Sequence, residues 1–208
     1  MRLILVRHAE STSNVRHLLD AGRPGPELTA LGLDQAAQLP GTLAAFDVES
    51  VYASTLTRAQ QTAAPYAESI GLPVVVRDGL REISAGVLEL RSDAESMATY
   101  FSTVAAWHAG DLARRMPGGE NGTEVLARFD AVVAEIAGLG LRTVLAVSHG
   151  AVIRFWITAR TNEADVALVA AEMLENTGVI ELDGSPAAGW RVASWIPSAA
   201  ARPGSRGI

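Results

Sequence analysis

Four short apolar runs limit the possible folds of this chain more than any other feature of the sequence. Helical patterns lie between these runs and after the last of them. The four runs cover residues 2–6, 51–53, 74–76 and 143–147 and have the length and β-branched content of buried strands. Strands that alternate with helices predict an α/β fold, a three-layer α/β/α sandwich around a mainly parallel sheet. Ligands of such sheets bind beyond the carboxyl ends of the strands. His8 and His149 occupy that position after the first and the last run.

The segments between these runs carry patterns of their own. Residues 9–28 have the composition of a loop. The pattern from Thr29 to Ala44 predicts a helix, and Pro40 is expected to kink this helix or to end its first half. Ser54 is expected to cap the helix that follows the second run. Residues 90–117 are expected to form a helical cover over the active site, because apolar side chains recur there at three- and four-residue spacing. These side chains are Met97, Tyr100, Phe101, Val104 and Trp107.

Further helical patterns cover residues 124–136 and the segment after Gly150. Two runs near the carboxyl terminus, residues 179–182 and 190–195, predict a β-hairpin. We therefore expect residues 1–196 to form a single domain. Residues 197–208 have the composition of a linker and are expected to be a carboxyl-terminal tail.

The residue types that are missing from this chain limit its possible chemistry more than its average hydrophobic and charged content does. The 208 residues include no Cys, and all 17 basic residues are Arg, so Lys is missing. Thiol nucleophiles, disulfides, Schiff bases and phosphate loops ending in Gly-Lys-Ser/Thr are therefore excluded. No histidine pair has the spacing of a helical metal site, so neither a metal nor a cofactor is expected. G-x-S-x-G, the usual serine hydrolase signature, is absent.

Charge and hydropathy bear on partners and location. The net charge of −6 gives no chain-wide basic field, so no nucleic-acid partner is expected. No apolar run reaches the length of a membrane span, and the amino terminus lacks a secretory signal pattern. These features predict a soluble protein of the cytoplasm without a membrane partner; a homodimer is compatible with them.

Six motif blocks follow one another in a specific order. They are L-V-R-H-A-E-S-T-S-N (5–14), L-T-A-L-G-L-D-Q-A (28–36), S-T-L-T-R-A-Q-Q-T-A (54–63), L-R-E-I-S-A-G (80–86), P-G-G-E (117–120) and V-S-H-G (147–150). In this order the chain resembles the histidine phosphatase superfamily, also called the phosphoglycerate mutase-like family, over residues 2–182. The resemblance implies that His8 becomes transiently phosphorylated and that His149 stabilises the transferring group.

The residue types in these blocks suit phosphoryl transfer. The forked guanidinium of Arg holds two phosphate oxygens at once, which makes Arg7 and Arg58 the candidate phosphate ligands. His149, the amides of the helix that begins at Gly150, and Asn14 are further candidate donors. Two guanidinium groups also disfavour a charged His8, which keeps this nucleophile neutral. Its other ring nitrogen needs an acceptor, and a backbone carbonyl is expected.

The leaving alkoxide needs a proton, for which Glu82 is the candidate donor. Repulsion from the bound phosphate dianion and partial burial favour the protonated carboxyl, which can later deprotonate water. Glu10 and Glu120 are expected to order loops rather than to catalyse. His17 and His108 are expected to be ordinary loop and helix histidines, although the position of His108 in the cover leaves contact with substrate open.

The chain departs from the family's pattern at three positions. Ala9 stands where Gly is usual, so loop geometry beside the phosphate site is in question. Asn121 follows Gly-Gly-Glu where Ser is common, which is expected to alter a helix cap more than the chemistry. Leu90 stands where Gly often occurs, and this change puts the identity of the substrate in question.

The sequence predicts a phosphomonoesterase of the histidine acid phosphatase type, acting on a small-molecule phosphate ester. A cofactor-dependent phosphoglycerate mutase is the alternative within the fold, but such mutases carry a longer basic insertion than residues 83–116, where the Arg residues are Arg91, Arg114 and Arg115. A catalytically idle binding or regulatory module is a third reading. It is disfavoured because Arg7, His8, Arg58, Glu82 and His149 are all present.

Overall fold

The computed structural model describes residues 1–162, 165, 166, 169 and 174–198. Its centre is one six-stranded sheet with the strand order β3-β2-β4-β1-β5-β6. The strands are β1 (Arg2–Arg7), β2 (Ser50–Ala53), β3 (Val74–Val76), β4 (Thr143–Ser148), β5 (Val179–Ser185) and β6 (Gly189–Ile196). The first four are mutually parallel, and β5 pairs antiparallel with β1 and with β6. The predicted mainly parallel sheet is therefore confirmed.

Six α-helices have both ends within the described part of the chain. They are α1 (Thr12–Val15), α2 (Ala30–Thr42), α3 (Thr57–Ser69), α4 (Ala94–His108), α5 (Gly122–Gly138) and α6 (Gly150–Arg160). Two single 3₁₀ turns, Asp78–Leu80 and Gly86–Leu88, flank the segment that carries Glu82. Among the described residues, no helix is long and apolar enough to cross a membrane.

Alternating side chains of β1 explain the three layers. Ile4 and Val6 belong to the core under α2 and α3, whereas Leu3 and Leu5 belong to the core under α5 and α6. All four side chains are fully buried. A strand that is apolar on both faces must be covered on both faces, so the predicted α/β/α sandwich follows from this short run.

Three local predictions need correction. Pro40 does not end the first half of α2, because it lies in the last turn of a helix that continues to Thr42. Ser54 caps no helix, since α3 begins at Thr57 after Leu56. The helix in the predicted cover is also shorter than residues 90–117, because Asp93 accepts a bond from Ser96 N at its start and the chain turns at Gly110 (φ +97°).

The loop at residues 9–28 contains one short helix, α1, and Thr29 caps α2 by accepting a bond from Gly32 N. The predicted hairpin is confirmed as β5 and β6. The tail begins with two described residues that contact the 174–178 loop: Pro197 O accepts from Glu175 N (3.1 Å), and Ser198 Oγ donates to Asn176 O (3.2 Å). The rest of the predicted tail, residues 199–208, lies outside the described residues.

Candidate active site

The two motif histidines meet at the carboxyl edge of the sheet. β1 and β4 are in parallel register, with Arg7 opposite Ser148, so the residues that follow them leave the sheet side by side. His8 N donates to Ser148 O (2.9 Å), and the His8 and His149 rings lie 5.0 Å apart between centroids. Two histidines that are 141 positions apart in sequence are therefore in contact in space.

The hydrogen bonds of His8 assign a neutral ring with the proton on Nδ1. Nδ1 lies 2.7 Å from Ala9 O, which confirms the predicted carbonyl acceptor, and Nε2 accepts from Arg58 Nε (3.1 Å). Burial, followed by the charges of Arg58 and Arg7, holds the pKa of His8 well below its usual range. The Nε2 lone pair is thus kept free of a proton.

The ring of His149 is oriented by Ser54. Ser54 Oγ lies 2.6 Å from His149 Nε2 and itself accepts from Leu56 N (3.2 Å). Among the described residues, Nε2 is the acceptor available to the Ser54 hydroxyl hydrogen, so this hydrogen points to Nε2 and the His149 proton is assigned to Nδ1. Burial, followed by the charges of Arg58 and His8, holds the pKa of His149 well below its usual range.

Three buried nitrogen atoms around His8 have no hydrogen-bond partner within the described residues. They are Arg7 Nε, Arg58 Nη1 and His149 Nδ1. Each guanidinium is anchored elsewhere by a backbone carbonyl: Arg7 Nη1 donates to Leu174 O (2.7 Å), and Arg58 Nη2 donates to Asp20 O (2.9 Å). Buried N–H donors that remain unpaired beside a nucleophile form a cradle for an anion with several acceptor oxygens.

Glu82 lies at the amino end of α6. Its Oε1 accepts from Ile83 N and Val152 N (both 2.9 Å), and its Oε2 accepts from Ala151 N (3.1 Å). Two of the helix amides expected to face phosphate are therefore bonded to Glu82. A Cβ on Gly150 would lie 3.2 Å from Arg7 Nε, so this glycine allows the guanidinium to pack against the start of α6.

Asn14 is held with its carbonyl oxygen toward the protein. Asn14 Oδ1 accepts from Ser11 N (3.0 Å) and Asn176 Nδ2 (3.3 Å), which leaves the Asn14 Nδ2 hydrogens for the adjoining cavity. Asn176 Nδ2 also donates to His8 O (2.9 Å). The cavity has a volume of about 860 Å³ and is bounded by α1, the start of α6 and one face of α4.

The α4 wall of this cavity is largely apolar. Met97, Tyr100, Phe101 and Val104 all line it, so the predicted cover does contact the site. His17 and His108 also line the cavity, and His108 Nδ1 lies 2.9 Å from Thr158 Oγ1. Within the described residues, no group of three His, Asp or Glu side chains is placed to hold a metal ion.

Comparison with known proteins decides the family. The sequence profile of the histidine phosphatase superfamily (branch 1) matches residues 3–196. The chain belongs to this superfamily. The adenosylcobalamin/alpha-ribazole phosphatase of Escherichia coli is 31% identical over 159 residues, which cover 76% of this chain and 77% of that protein. Relatives named phosphoglycerate mutase are also among the matches.

Two mycobacterial proteins extend the comparison. A PE-PGRS family protein of Mycobacterium tuberculosis is 32% identical over 206 residues; the match covers 91% of this chain but about a third (35%) of that longer protein. A mycobacterial glucosyl-3-phosphoglycerate phosphatase, solved with VO3, has 28% identity and a TM-score of 0.78, with 94% of this chain and 98% of that chain covered. The histidine phosphatase fold is thus shown over nearly the whole chain.

The three departures from the superfamily pattern now have structural outcomes. The Ala9 methyl group is fully buried and packs with Leu28 and Ala36. Asn121 caps α5 in a capping box with Glu124, so this change does affect a cap. Leu90 has φ +61°, a conformation that favours glycine, and its side chain is exposed. A glycine would adopt this backbone conformation at lower cost than leucine does.

Glu10 and Glu120 hold loops, as predicted. Glu10 Oε1 accepts from Thr29 Oγ1 (2.7 Å), and Glu120 Oε1 accepts from Arg128 Nε (2.8 Å). Sequence reasoning missed the contributions of Ser54, Asn176 and Arg128. Arg128 alone carried a signal, because a charged residue next to Phe129 on the apolar face of α5 requires a partner.

Proposed function

We propose that this histidine phosphatase superfamily member hydrolyses a small-molecule phosphomonoester through a phosphohistidine on His8. One observation carries the proposal: a neutral, buried Nε2 lies among three unpaired N–H donors. Arg7, Arg58 and His149 would bind the phosphate oxygens and stabilise the charge that develops on them. Asn14 and Gly150 are the further proposed phosphate contacts. The phosphatase names of relatives support a hydrolase.

In the first step, Arg58 Nε–H moves its hydrogen bond from His8 Nε2 to a phosphate oxygen. The freed lone pair of Nε2 then attacks phosphorus while the bond from phosphorus to the ester oxygen breaks. Protonated Glu82 gives its proton to the departing alkoxide, so a neutral alcohol leaves. Glu82 Oε2 accepts one amide bond, which leaves a lone-pair site for this proton. In the second step, Glu82 takes a proton from water, the hydroxide attacks the phosphohistidine, and inorganic phosphate and neutral His8 result.

We expect no metal or cofactor in this reaction, because guanidinium groups and His149 supply the charge stabilisation. We place the reaction in the cytoplasm, with a small-molecule phosphate ester as partner and without nucleic acid or membrane. The apolar α4 wall favours an alcohol with some apolar surface.

Transfer to water rather than to a second phosphoglycerate oxygen is favoured by the residues between Glu82 and the P-G-G-E motif. Arg91 is paired with Asp93, and Arg115 is paired with Glu124. Among the residues that the structure describes, neither these two arginines nor Arg114 lines the cavity beside His8. They therefore do not supply the basic surface that a mutase requires to retain a bisphosphorylated intermediate.

The test is a phosphomonoester panel that includes p-nitrophenyl phosphate and 3-phosphoglycerate, scored separately for inorganic phosphate and for mutase product. We expect phosphate release, inhibition by vanadate and full activity in excess chelator. His8→Ala should lower turnover by about 10⁴-fold or more and prevent an acid-labile phosphoenzyme from forming. Normal turnover by His8→Ala, or activity that returns only with metal, would contradict the proposal; mutase product without free phosphate would assign the alternative.

A further inference from the structure

One buried guanidinium on α5 binds the backbone of the loop that carries Glu82. Arg128 of α5 donates through Nη1 to Gly79 O (2.8 Å) and Arg81 O (2.7 Å), and through Nη2 to Glu82 O (3.1 Å). Its side chain is 12% exposed. Three carbonyls within four residues of one loop therefore share a single planar donor.

The remaining donors of Arg128 bind Glu120 of the P-G-G-E motif. Arg128 Nε lies 2.8 Å from Glu120 Oε1, and Nη2 lies 3.2 Å from Glu120 Oε2. The same carboxylate accepts from Arg81 Nη2 (2.5 Å) and Ser84 N (3.4 Å). The backbone is thereby tied to one ion cluster on both sides of Glu82.

The loop also lies flat against α5. A Cβ on Gly79 would stand 2.3 Å from Arg128 O and 2.6 Å from Val132 Cγ2, so only glycine fits there. Glu82 is consequently fixed at two points: its backbone by Arg128, and its carboxylate by the Ala151 and Val152 amides of α6. The position of the carboxyl group depends on both.

We propose that Arg128 is a positioning residue for proton transfer by Glu82, an inference that rests on the proposed phosphatase function. Arg128 contacts neither the cavity nor His8; it acts through the backbone of the Glu82 loop. A displacement of a catalytic group by about 1 Å costs up to about 100-fold in rate. Loss of Arg128 would therefore slow the step in which Glu82 transfers a proton, and it would leave phosphate binding by Arg7 and Arg58 unchanged.

The leaving group separates this role from a purely structural one. A p-nitrophenolate departs without protonation, whereas an alkoxide from an alkyl phosphate requires the proton of Glu82. The kcat/KM values of both substrates report the steps up to the phosphoenzyme, so the later attack by water does not enter. We expect Arg128→Lys to lower kcat/KM by about 10- to 100-fold for n-butyl phosphate and less than about threefold for p-nitrophenyl phosphate.

Arg128→Lys keeps the charge and most of the side-chain volume but loses the fork, and Arg128→Met removes both charge and donors. If Arg128→Met does not fold, Arg128→Lys decides. The matched control is Arg160→Met, which removes an arginine that pairs with Asp130 on the same helix α5. The control should change the denaturation midpoint without changing the ratio of the two kcat/KM values.

A double-variant cycle completes the test. In a Glu82→Gln background, which itself should slow n-butyl phosphate selectively, adding Arg128→Lys should have less than about a twofold further effect. An equal loss on both substrates, or a loss that persists in the Glu82→Gln background, would overturn the role of Arg128. Absence of phosphate release by the wild-type chain would instead overturn the proposed function, so the two failures are distinguishable.

Discussion

The two ends of the cavity are built on opposite principles. At the inner end, His8, Arg58 and His149 are 3%, 4% and 0% exposed, and each is hydrogen-bonded to the strands, loops or helices around it. At the outer end, Val15 and Phe101 are 59% and 56% exposed. Buried polar and charged groups depend on their hydrogen-bond partners, whereas exposed apolar side chains can change at small cost in stability. Chemistry is thus fixed at one end, and substrate choice can vary at the other.

After the loss of His8 itself, the largest effect should come from breaking the inner end at Arg58. Arg58→Lys removes the fork that supplies both the Nε bond to His8 and the unpaired Nη1. We expect kcat/KM to fall by about 10²- to 10³-fold for good and poor leaving groups alike, and vanadate to bind more weakly. Arg77→Met, which removes an exposed arginine paired with Glu135, is the control. A loss below about tenfold would place the main phosphate ligand elsewhere.

Removing the Ser54 hydroxyl should have a smaller effect at the same end. Ser54→Ala deprives His149 Nε2 of its partner and releases the Nδ1–H tautomer. We expect a loss in kcat of about tenfold, the cost of one unsatisfied buried group. Nitrogen NMR shifts of His149 report the tautomer directly. Ser69→Ala, at the far end of α3, is the control, and an unchanged His149 tautomer in Ser54→Ala would refute the assignment.

Burial of two neutral histidines predicts a pH dependence of stability. The folded-state pKa values of His8 and His149 are lowered, so below about pH 6.5 the unfolded chain binds protons that the native protein does not. The free energy of unfolding should therefore fall as the pH drops from 6.5, by up to about 1.4 kcal/mol per pH unit for each histidine. Urea titrations of wild type and His8→Gln between pH 7 and pH 5 measure this slope. An identical slope in both proteins would show that His8 titrates normally.

The smallest effect should come from the outer end. Phe101→Ala removes an exposed ring from the α4 wall, so we expect KM to rise about twofold to fivefold for aryl phosphates while kcat holds. Leu31→Ala, which changes an equally exposed apolar residue on α2, should leave both constants as they are. A drop in kcat for Phe101→Ala would contradict the separation of roles between the two ends of the cavity.

The contrast between the ends also explains what sequence could predict. Strands with apolar residues on both faces, such as β1, predict the α/β/α sandwich. The six sequence motifs, in their order, predict which residues lie around His8. The role of Ser54 could not be predicted, because it depends on the register of β2 with β4. In this register Ser54 N donates to Val147 O (3.0 Å), which brings the Ser54 side chain to His149. The contact of Asn176 with His8 could not be predicted for a similar reason. Asn176 lies in a loop without a motif, and the pairing of β5 with β1 brings this loop to His8.

The position of β1 between β4 and β5 sets an order of assembly during synthesis. Arg7 and His8 leave the ribosome first, but their strand gains its neighbours only after residue 143, and Leu174 O and Asn176 reach Arg7 and His8 later still. Contacts with such long sequence separation form slowly. A nascent chain that ends before residue 174 therefore carries His8 without its finished surroundings, so we expect the proposed phosphatase activity to begin only as the last strands emerge.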